Sequence, residues 1–220
     1  LNFNFGLTYT PMVSEKLQLT SSITFSPKAD LTSTNQRTFA SVLVSSTGQE
    51  FPVNEIETDL GALGLDKTVL SLPTKTALGV GIGQPRKWFL GAEYTMLKTS
   101  EFSSEIFTFD NATYQDASTI AVGGFLIPQF NSFTYWKRVV YRAGFRFENT
   151  GLKIENESID EFGMSFGVGL PVGNVFSNVN IGIEVGQRGT INQNLVKENF
   201  VNFQLSLSLN DIWFEKRKYN

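Results

Sequence analysis

Cysteine and histidine are both absent from the 220 residues of the chain. Their absence excludes a disulfide framework, metal sites built on thiols or imidazoles, and nucleophiles activated by a histidine. The better-known enzymes built on outer-membrane barrels depend on a histidine and are excluded with them. No calcium-loop or paired-acid signature lies on a predicted strand either. We therefore predict a protein that is not an enzyme and that binds no cofactor.

Long hydrophobic runs are also missing. Although 41% of the residues are hydrophobic, no stretch approaches the roughly 18 uncharged apolar residues that a membrane-spanning helix needs. If the chain lies in a membrane, it must cross as a closed barrel, because only helices and closed barrels satisfy every backbone group in lipid. The net charge of -3 gives no reason to expect a nucleic-acid partner.

Residues 201–210 alternate strictly between apolar and polar side chains. A period of two indicates a strand with two unlike faces. The polar positions hold only Asn, Gln and Ser, whereas a face that meets bulk water usually carries charge. Trp213 and Phe214 follow, and then the charged residues 215–218. This order is typical of a lipid-facing strand that ends in an aromatic belt and a charged periplasmic tail.

The same alternation recurs along the chain and predicts about nine strands of roughly ten residues, the length that a tilted strand needs to cross a bilayer. The predicted strands are residues 1–10, 17–25, 72–83, 87–98, 119–127, 138–148, 162–170, 179–186 and 201–210. Residues 119–127 carry apolar side chains at both parities around Gly123 and Gly124, which fits either a bulge or a strand covered on both faces. The fold class predicted is all-β, an antiparallel transmembrane β-barrel in one domain, residues 1–220.

Connections of alternating length orient the predicted barrel. Short turns are expected at residues 12–16, 83–86, 129–133 and 171–178, and long loops at residues 30–71, 99–117, 150–160 and 189–198. Short turns of such barrels face the periplasm and long loops face outside. Basic and aromatic residues gather near the short turns, while acidic residues gather in the long loops. We therefore predict a multi-pass protein of the cell outer membrane, in contact with its lipid and lipopolysaccharide.

Two further expectations concern the ends of the chain and its longest loop. An odd number of strands does not suit a bacterial barrel with both termini in the periplasm, so we expect an N-terminal part to be absent. Within the loop 30–71, residues 39–45 and 49–53 flank Ser46-Thr47-Gly48 and suggest a hairpin.

Several segments resemble the C-terminal part of FadL-type outer-membrane proteins, the long-chain fatty-acid and TodX-like hydrocarbon transporters of Gram-negative bacteria. They are residues 141–145, 162–171, 180–190 and 206–214, the basic residues 216–218, and the Leu72-Pro73 pair before a glycine-rich strand. The resemblance implies a fourteen-stranded barrel plugged by an N-terminal hatch, of which this chain would lack the hatch and the first strands. It implies a channel for the uptake of hydrophobic small molecules such as long-chain fatty acids.

Two other functions remain open at this point. Members of the same fold also act as non-transporting barrel subunits of larger outer-membrane assemblies or protein-secretion complexes, with other envelope proteins as partners, and fold alone does not decide between these roles. A soluble all-β adhesin or sandwich would instead bury the apolar face against a second sheet.

One cluster of charged residues is predicted inside the barrel. Arg142 and Arg146 share the inward face of one strand, and Glu184 and Arg188 share that of the next strand but one. The strand between them contributes mainly glycine, so these long side chains can meet across it. Lys75 and Glu93 are further candidate members. The cluster would either bind a carboxylate head group of a ligand or form an ion-pair ladder that stiffens the barrel.

Overall fold

The computed structural model describes residues 2–104, 111–172 and 177–208, and within them the chain is almost entirely β-structure. In chain order the strands are β1 (Phe5–Tyr9), β2 (Gln18–Ser26), β3 (Ala29–Thr34), β4 (Thr38–Val44), β5 (Glu50–Glu57), β6 (Lys67–Leu72), β7 (Lys75–Gln84), β8 (Trp88–Leu97), β9 (Ser103–Ser104), β10 (Ala112–Tyr114), β11 (Ala117–Leu126), β12 (Val140–Ile154), β13 (Glu157–Val172), β14 (Ser177–Gly189) and β15 (Lys197–Ser208). Helical structure in these ranges is limited to α1 (Tyr135–Arg138) and the 3-10 turns Thr99–Glu101 and Asn192–Asn194. None of the described helices is long and apolar enough to cross a membrane.

The largest sheet contains a continuous antiparallel path of nine strands in the order β1-β2-β7-β8-β11-β12-β13-β14-β15, and short β10 also pairs with β12. These nine strands correspond to the nine that the alternation predicts. Six shorter strands lie in the connections, so the count of about nine is too low for the whole chain. In the described residues β1 and β15 are the two edges of this sheet and do not pair with each other. The antiparallel all-β class is confirmed, whereas a closed barrel is not observed in this part of the chain.

The two faces of the large sheet differ as the alternation predicts. Cross-strand partners share a face, and the register joins rows of apolar residues on one side and rows of glycine and polar residues on the other. The apolar side is largely exposed; on β15, for example, Phe203, Leu205 and Leu207 each expose more than 60% of their surface. The accessible surface of the chain is 16420 Å², against about 10,000 Å² for a compact protein of this mass. The sheet therefore does not bury its apolar face in a protein core.

Glycines fill one inward row across four neighbouring strands. Gly81, Gly91, Gly123 and Gly144 are direct cross-strand partners in succession. The ring of Phe89 covers the first two, because a Cβ on Gly81 would lie 2.3 Å from its Cζ and a Cβ on Gly91 would lie 2.8 Å from its Cε1. The glycines thus make room for an aromatic side chain on the polar face.

The undecided strand at residues 119–127 is resolved by its register. β11 pairs without interruption with both β8 and β12, so the bulge is excluded. Apolar side chains do occupy both of its faces. Phe125 points inward and stacks on Phe89 with ring centroids 6.1 Å apart, while Ile120 and Val122 belong to the exposed apolar side.

One predicted long loop proves to be a hairpin. The prediction of a long loop at residues 150–160 is wrong, because β12 and β13 continue to a two-residue turn at Glu155 and Asn156. Both turn residues have positive φ, 49° and 70°, the conformation of the two-residue turns that suit the twist of paired strands. Gly151, with φ of 73°, lies where the register between the strands shifts. The positive φ angles are a property of the two turn residues alone, so the alternation of the strands does not predict them.

The longest connection, residues 27–74, carries two small sheets. β3 and β6 form one together with β9, which lies in the β8–β11 connection, and β4 and β5 form the other, which confirms the predicted hairpin. The backbone N–H and hydroxyl of Thr74 donate to Glu101 Oε2 at 3.3 and 2.9 Å, tying the start of β7 to the β8–β11 connection.

The predicted aromatic belt residues Trp213 and Phe214 and the charged residues 215–218 lie outside the described residues.

The contact between Phe89 and the glycine row predicts a stability difference between two glycine substitutions. Gly81→Ala should lower the free energy of unfolding by about 1–3 kcal/mol, since the new methyl group overpacks against the ring and the Leu90 carbonyl. Gly6→Ala is the matched control, because its Cβ would meet only Thr24 Cγ2 at 3.7 Å. Thermal unfolding in detergent, followed by circular dichroism, measures both. Equal midpoints for the two variants would show that the ring does not need the glycine.

Candidate functional site

The predicted charged cluster lies on the polar face where β12, β13 and β14 meet. Arg146 is the cross-strand partner of Gly163, and Gly163 is the partner of Gly186. The next row toward the β12–β13 turn contains Glu148, Glu161 and Arg188, and the row on the other side contains Gly144, Ser165 and Glu184. Arg146 therefore lies between two rows that carry carboxylates.

The side chain of Arg146 contacts three carboxylates. Its Nη1 lies 2.8 Å from Glu148 Oε2, and its Nη2 lies 2.5 Å from Glu161 Oε1 and 3.1 Å from Glu184 Oε1. Gly163 makes the contact between Arg146 and Glu184 possible, because a Cβ at residue 163 would lie 2.8 Å from Glu184 Oε1. The predicted meeting of Arg146 and Glu184 across glycine is thus found in the structure.

Glu161 is the most deeply buried member of the cluster, with 4% of its surface exposed. It accepts hydrogen bonds through both oxygens, one from Arg146 and the other from Nε of Arg188. A buried carboxylate is costly unless it is paired and hydrogen-bonded. Two guanidinium groups meet that requirement here and link β12, β13 and β14 through their side chains as well as their backbones.

Sequence reasoning missed Glu148 and Glu161 as members of this cluster. Glu161 was placed at the boundary of a loop expected to end at residue 160, although it has the same parity as the inward residues Gly163 and Ser165. Continuing the period of two by one more step would have identified it. Glu148 has the same parity as Arg142 and Arg146, but its partner Glu161 is defined only by the register.

Arg142 is separate from the ion-pair network. It donates from Nη1 to Asn180 Oδ1 at 2.8 Å, and Asn180 Nδ2 lies 3.4 Å from Ser206 Oγ. Among the described residues it takes part in no ion pair. The predicted membership of Arg142 in the charged cluster is therefore wrong, because its side chain extends toward the row of Gly169 and Asn180 and away from the neighbouring row that carries Glu184.

Lys75 and Glu93 do not join the network either. Glu93 shares the cross-strand row of Arg146 through Ala121 but lies two strands away, and its recorded contact is with the hydroxyl of Thr95 at 3.3 Å. Lys75 lies at the start of β7, opposite Ser26 and Leu97. No ion pair of the described residues includes either side chain.

A cavity of about 600 Å³ opens on the polar face. Phe89, Glu93, Arg142, Arg146 and Glu184 all line it, together with the glycine row. Of these four charged residues, Arg146 and Glu184 are paired with each other, and Arg142 is hydrogen-bonded to Asn180, which favours a bracing role for the cluster. Binding of a carboxylate head group by the cluster stays a prediction.

Comparison with known proteins identifies the family of the chain. The BamG family model matches residues 1–220, and the chain belongs to the BamG family. This family is associated with the outer membrane. The comparison with curated proteins finds no match.

The family match corrects the resemblance to FadL-type transporters, because the BamG family is distinct from them. The fatty-acid channel and the fourteen-stranded barrel rested on that resemblance and are set aside with it. Alternating glycine and apolar residues, aromatic strand ends and basic tails carried the resemblance. These features follow from the demands of the bilayer on a spanning strand and do not distinguish one outer-membrane family from another.

The geometry of the cluster predicts that the two inward arginines of β12 differ in their effect on stability. Arg146→Ala should lower the free energy of unfolding by about 2 kcal/mol, because it leaves the buried Glu161 with one cationic partner. Arg142→Ala should cost less, since it removes one hydrogen bond to a neutral amide. Denaturant or thermal unfolding in detergent measures the difference. A larger loss for Arg142→Ala would contradict the assignment of the network.

Proposed function

We propose that this BamG-family protein is a non-transporting, non-catalytic barrel subunit of a larger outer-membrane assembly, a complex that assembles β-barrel proteins. The observation that carries the proposal is the family match over residues 1–220. The ion pairs on the polar face support the non-transporting role. Arg146 and Arg188 pair with carboxylates across β12, β13 and β14, as expected of a rigid scaffold.

The proposal includes a multi-pass position in the outer membrane. An exposed apolar face is stable in lipid and not in water. Trp136 and Phe133 lie exposed in the β11–β12 turn beside Lys137 and Arg138, a combination that suits a membrane interface. The edges of β1 and β15 must be paired in lipid, because unpaired backbone groups there are costly. A closed barrel is therefore part of the proposal.

The channel alternative has less support from the polar face. The stacked rings of Phe89 and Phe125 and the network around Arg146 lie on the same inward surface. Ion pairs that span three strands resist separation of those strands. A scaffold needs such rigidity, and the channel role rested on a resemblance that the family match corrects.

Two neighbouring positions of β15 test the position in lipid. Tryptophan fluorescence of Leu205→Trp should be quenched by brominated lipid, because residue 205 belongs to the exposed apolar face. Gln204→Trp should be quenched by aqueous acrylamide, because residue 204 belongs to the polar face. The native tryptophans Trp88, Trp136 and Trp213 are replaced by Phe in both variants. Quenching of both variants by acrylamide alone would exclude the lipid position.

Copurification tests the assembly role. The tagged chain, extracted from native outer membranes in mild detergent, should copurify with other envelope proteins in fixed stoichiometry. Its depletion should lower the amounts of several unrelated barrel proteins in the outer membrane. An unrelated tagged barrel serves as the control for carry-over. A chain that purifies alone, with barrel levels unchanged on depletion, would overturn the proposal.

A further inference from the structure

Four cations lie in two neighbouring connections at one end of the large sheet. Arg86 and Lys87 belong to the short turn between β7 and β8, and the other two belong to the connection between β11 and β12. Those two are Lys137 and Arg138, the last residues of α1. Because β8 pairs with β11, the two connections lie side by side. We refer to these four residues as the turn cations.

Two backbone hydrogen bonds hold the turn cations in one surface patch. The N–H of Ile127 donates to the carbonyl of Lys87 at 2.6 Å. Two residues further along the chain, the N–H of Gln129 donates to the carbonyl of Lys137 at 2.8 Å. A lysine from each connection is therefore fixed beside the same short segment of backbone.

No carboxylate of the described residues neutralises the turn cations. None of the four takes part in an ion pair of this part of the chain, and neither connection contains Asp or Glu. The guanidinium carbon of Arg86 lies 5.4 Å from the ring centroid of Phe130, and that of Arg138 lies 5.7 Å from the ring centroid of Tyr135. Contact with a ring positions a guanidinium group but does not neutralise its charge.

The patch lies at the edge of the exposed apolar face. Trp88, Leu126 and Tyr141 are cross-strand partners in succession and form the last apolar row at this end of β8, β11 and β12. The hydroxyl of Tyr141 donates to the carbonyl of Trp136 at 3.2 Å, so α1 lies on the apolar side of the sheet. Trp136 exposes 66% of its surface, and Phe133 is fully exposed. Cations and aromatic side chains thus meet where the apolar rows end, as at a lipid interface.

An anionic phospholipid is complementary to both features of the patch. Its phosphate oxygens accept charge-assisted hydrogen bonds from guanidinium and ammonium groups. Its acyl chains match the apolar rows, which run along strands of ten residues or more in β8, β11 and β12, long enough for a bilayer. This continuity favours lipid over a protein partner. A soluble anion would pair with the turn cations but would leave the neighbouring aromatic side chains in water.

We propose that the turn cations bind the phosphate head group of an anionic phospholipid, with Phe133 and Trp136 inserted beside it at the lipid interface. The inference rests on the proposed function, because it needs the position in the outer membrane, and it adds the class of lipid bound. Short turns face the periplasm, so the lipid is a phospholipid of that leaflet and not lipopolysaccharide. Basic residues near a membrane surface attract anionic lipid in proportion to their number, so four together select an anionic head group.

Native mass spectrometry of the purified chain in detergent measures the lipid preference. Offered equal amounts of phosphatidylglycerol and phosphatidylcholine with the same acyl chains, the chain should retain at least about tenfold more phosphatidylglycerol. A variant without the turn cations should retain the two lipids about equally; its changes are Arg86→Gln, Lys87→Gln, Lys137→Gln and Arg138→Gln. Inorganic phosphate at the same concentration as the lipid should not displace phosphatidylglycerol.

Four lysines toward the opposite end of the strands provide the matched control. Lys28→Gln, Lys67→Gln, Lys153→Gln and Lys197→Gln together remove the same charge. None of these lysines takes part in an ion pair of the described residues. The control variant should keep the preference for phosphatidylglycerol, because the turn cations are unchanged.

The aromatic residues provide a second arm of the test. Phe133→Ser and Trp136→Ser together keep every cation and should lower the amount of bound phosphatidylglycerol about fivefold, because less apolar surface is buried. Heat-dependent mobility on a gel verifies that each variant is folded.

Four results would overturn the inference. They are equal retention of the two lipids by the wild-type chain, equal losses in the turn-cation and control variants, unchanged retention by the aromatic variant, and displacement of phosphatidylglycerol by inorganic phosphate. The fluorescence of Leu205→Trp separates this failure from that of the proposed function. If brominated lipid quenches it while the two lipids bind equally, only the phospholipid inference fails; if acrylamide alone quenches it, the proposed position in lipid fails as well.

Discussion

The continuous antiparallel register of nine strands determines what each face of the large sheet contacts. Because side chains alternate and cross-strand partners share a face, apolar residues form unbroken rows on one side and glycine and polar residues form rows on the other. A slip of one residue in β12 would place Arg142, Arg146 and Glu148 among the apolar rows. The polar face must then be filled without an apolar core, and two devices fill it: an aromatic ring lying on glycine, and guanidinium groups shared among carboxylates.

Both the aromatic stacking and the ion-pair network depend on glycine. Gly81 and Gly91 leave space for Phe89, and Gly163 leaves space for the carboxylate of Glu184. Glycine in a strand weakens the strand by itself, since it has a high conformational entropy in the unfolded chain and no side chain to pack. Side chains of neighbouring residues offset this loss, because they extend across the glycines and contact other strands. These contacts join more than two strands at once, whereas backbone hydrogen bonds join strands only in pairs. The inward glycines and the inward charges are therefore parts of one packing arrangement.

The period of two predicted the nine strands of the large sheet and the inward positions of Arg142, Arg146, Glu184 and Arg188. It could not predict where strands end, because turn geometry at Glu155 and Asn156 is a local property of backbone dihedrals. That error removed Glu161 from the predicted cluster. The period of two could not predict the family either. The motifs that suggested FadL-type proteins are required of any strand that spans a bilayer and do not depend on a transported ligand. Which arginine meets which carboxylate depends on register, and Arg142 lies two same-face rows away from Arg146.

The exposed apolar residues of the long strands and those of the hairpin of β4 and β5 follow different patterns. The long strands alternate, whereas in the hairpin Val42, Leu43 and Val44 are consecutive and Ser41 lies opposite Asn54 between the apolar pairs. Strand length and charge separate the two cases. β12 and β13, with fifteen and sixteen residues, are long enough to span a bilayer, and Arg142, Arg146, Glu148 and Glu161 lie on the opposite face from the apolar rows. The hairpin is too short to span and carries acidic residues on the strand that bears Phe51 and Ile56. Exposed apolar residues alone therefore do not indicate lipid contact, because strand length and the face that carries the charge must agree with it.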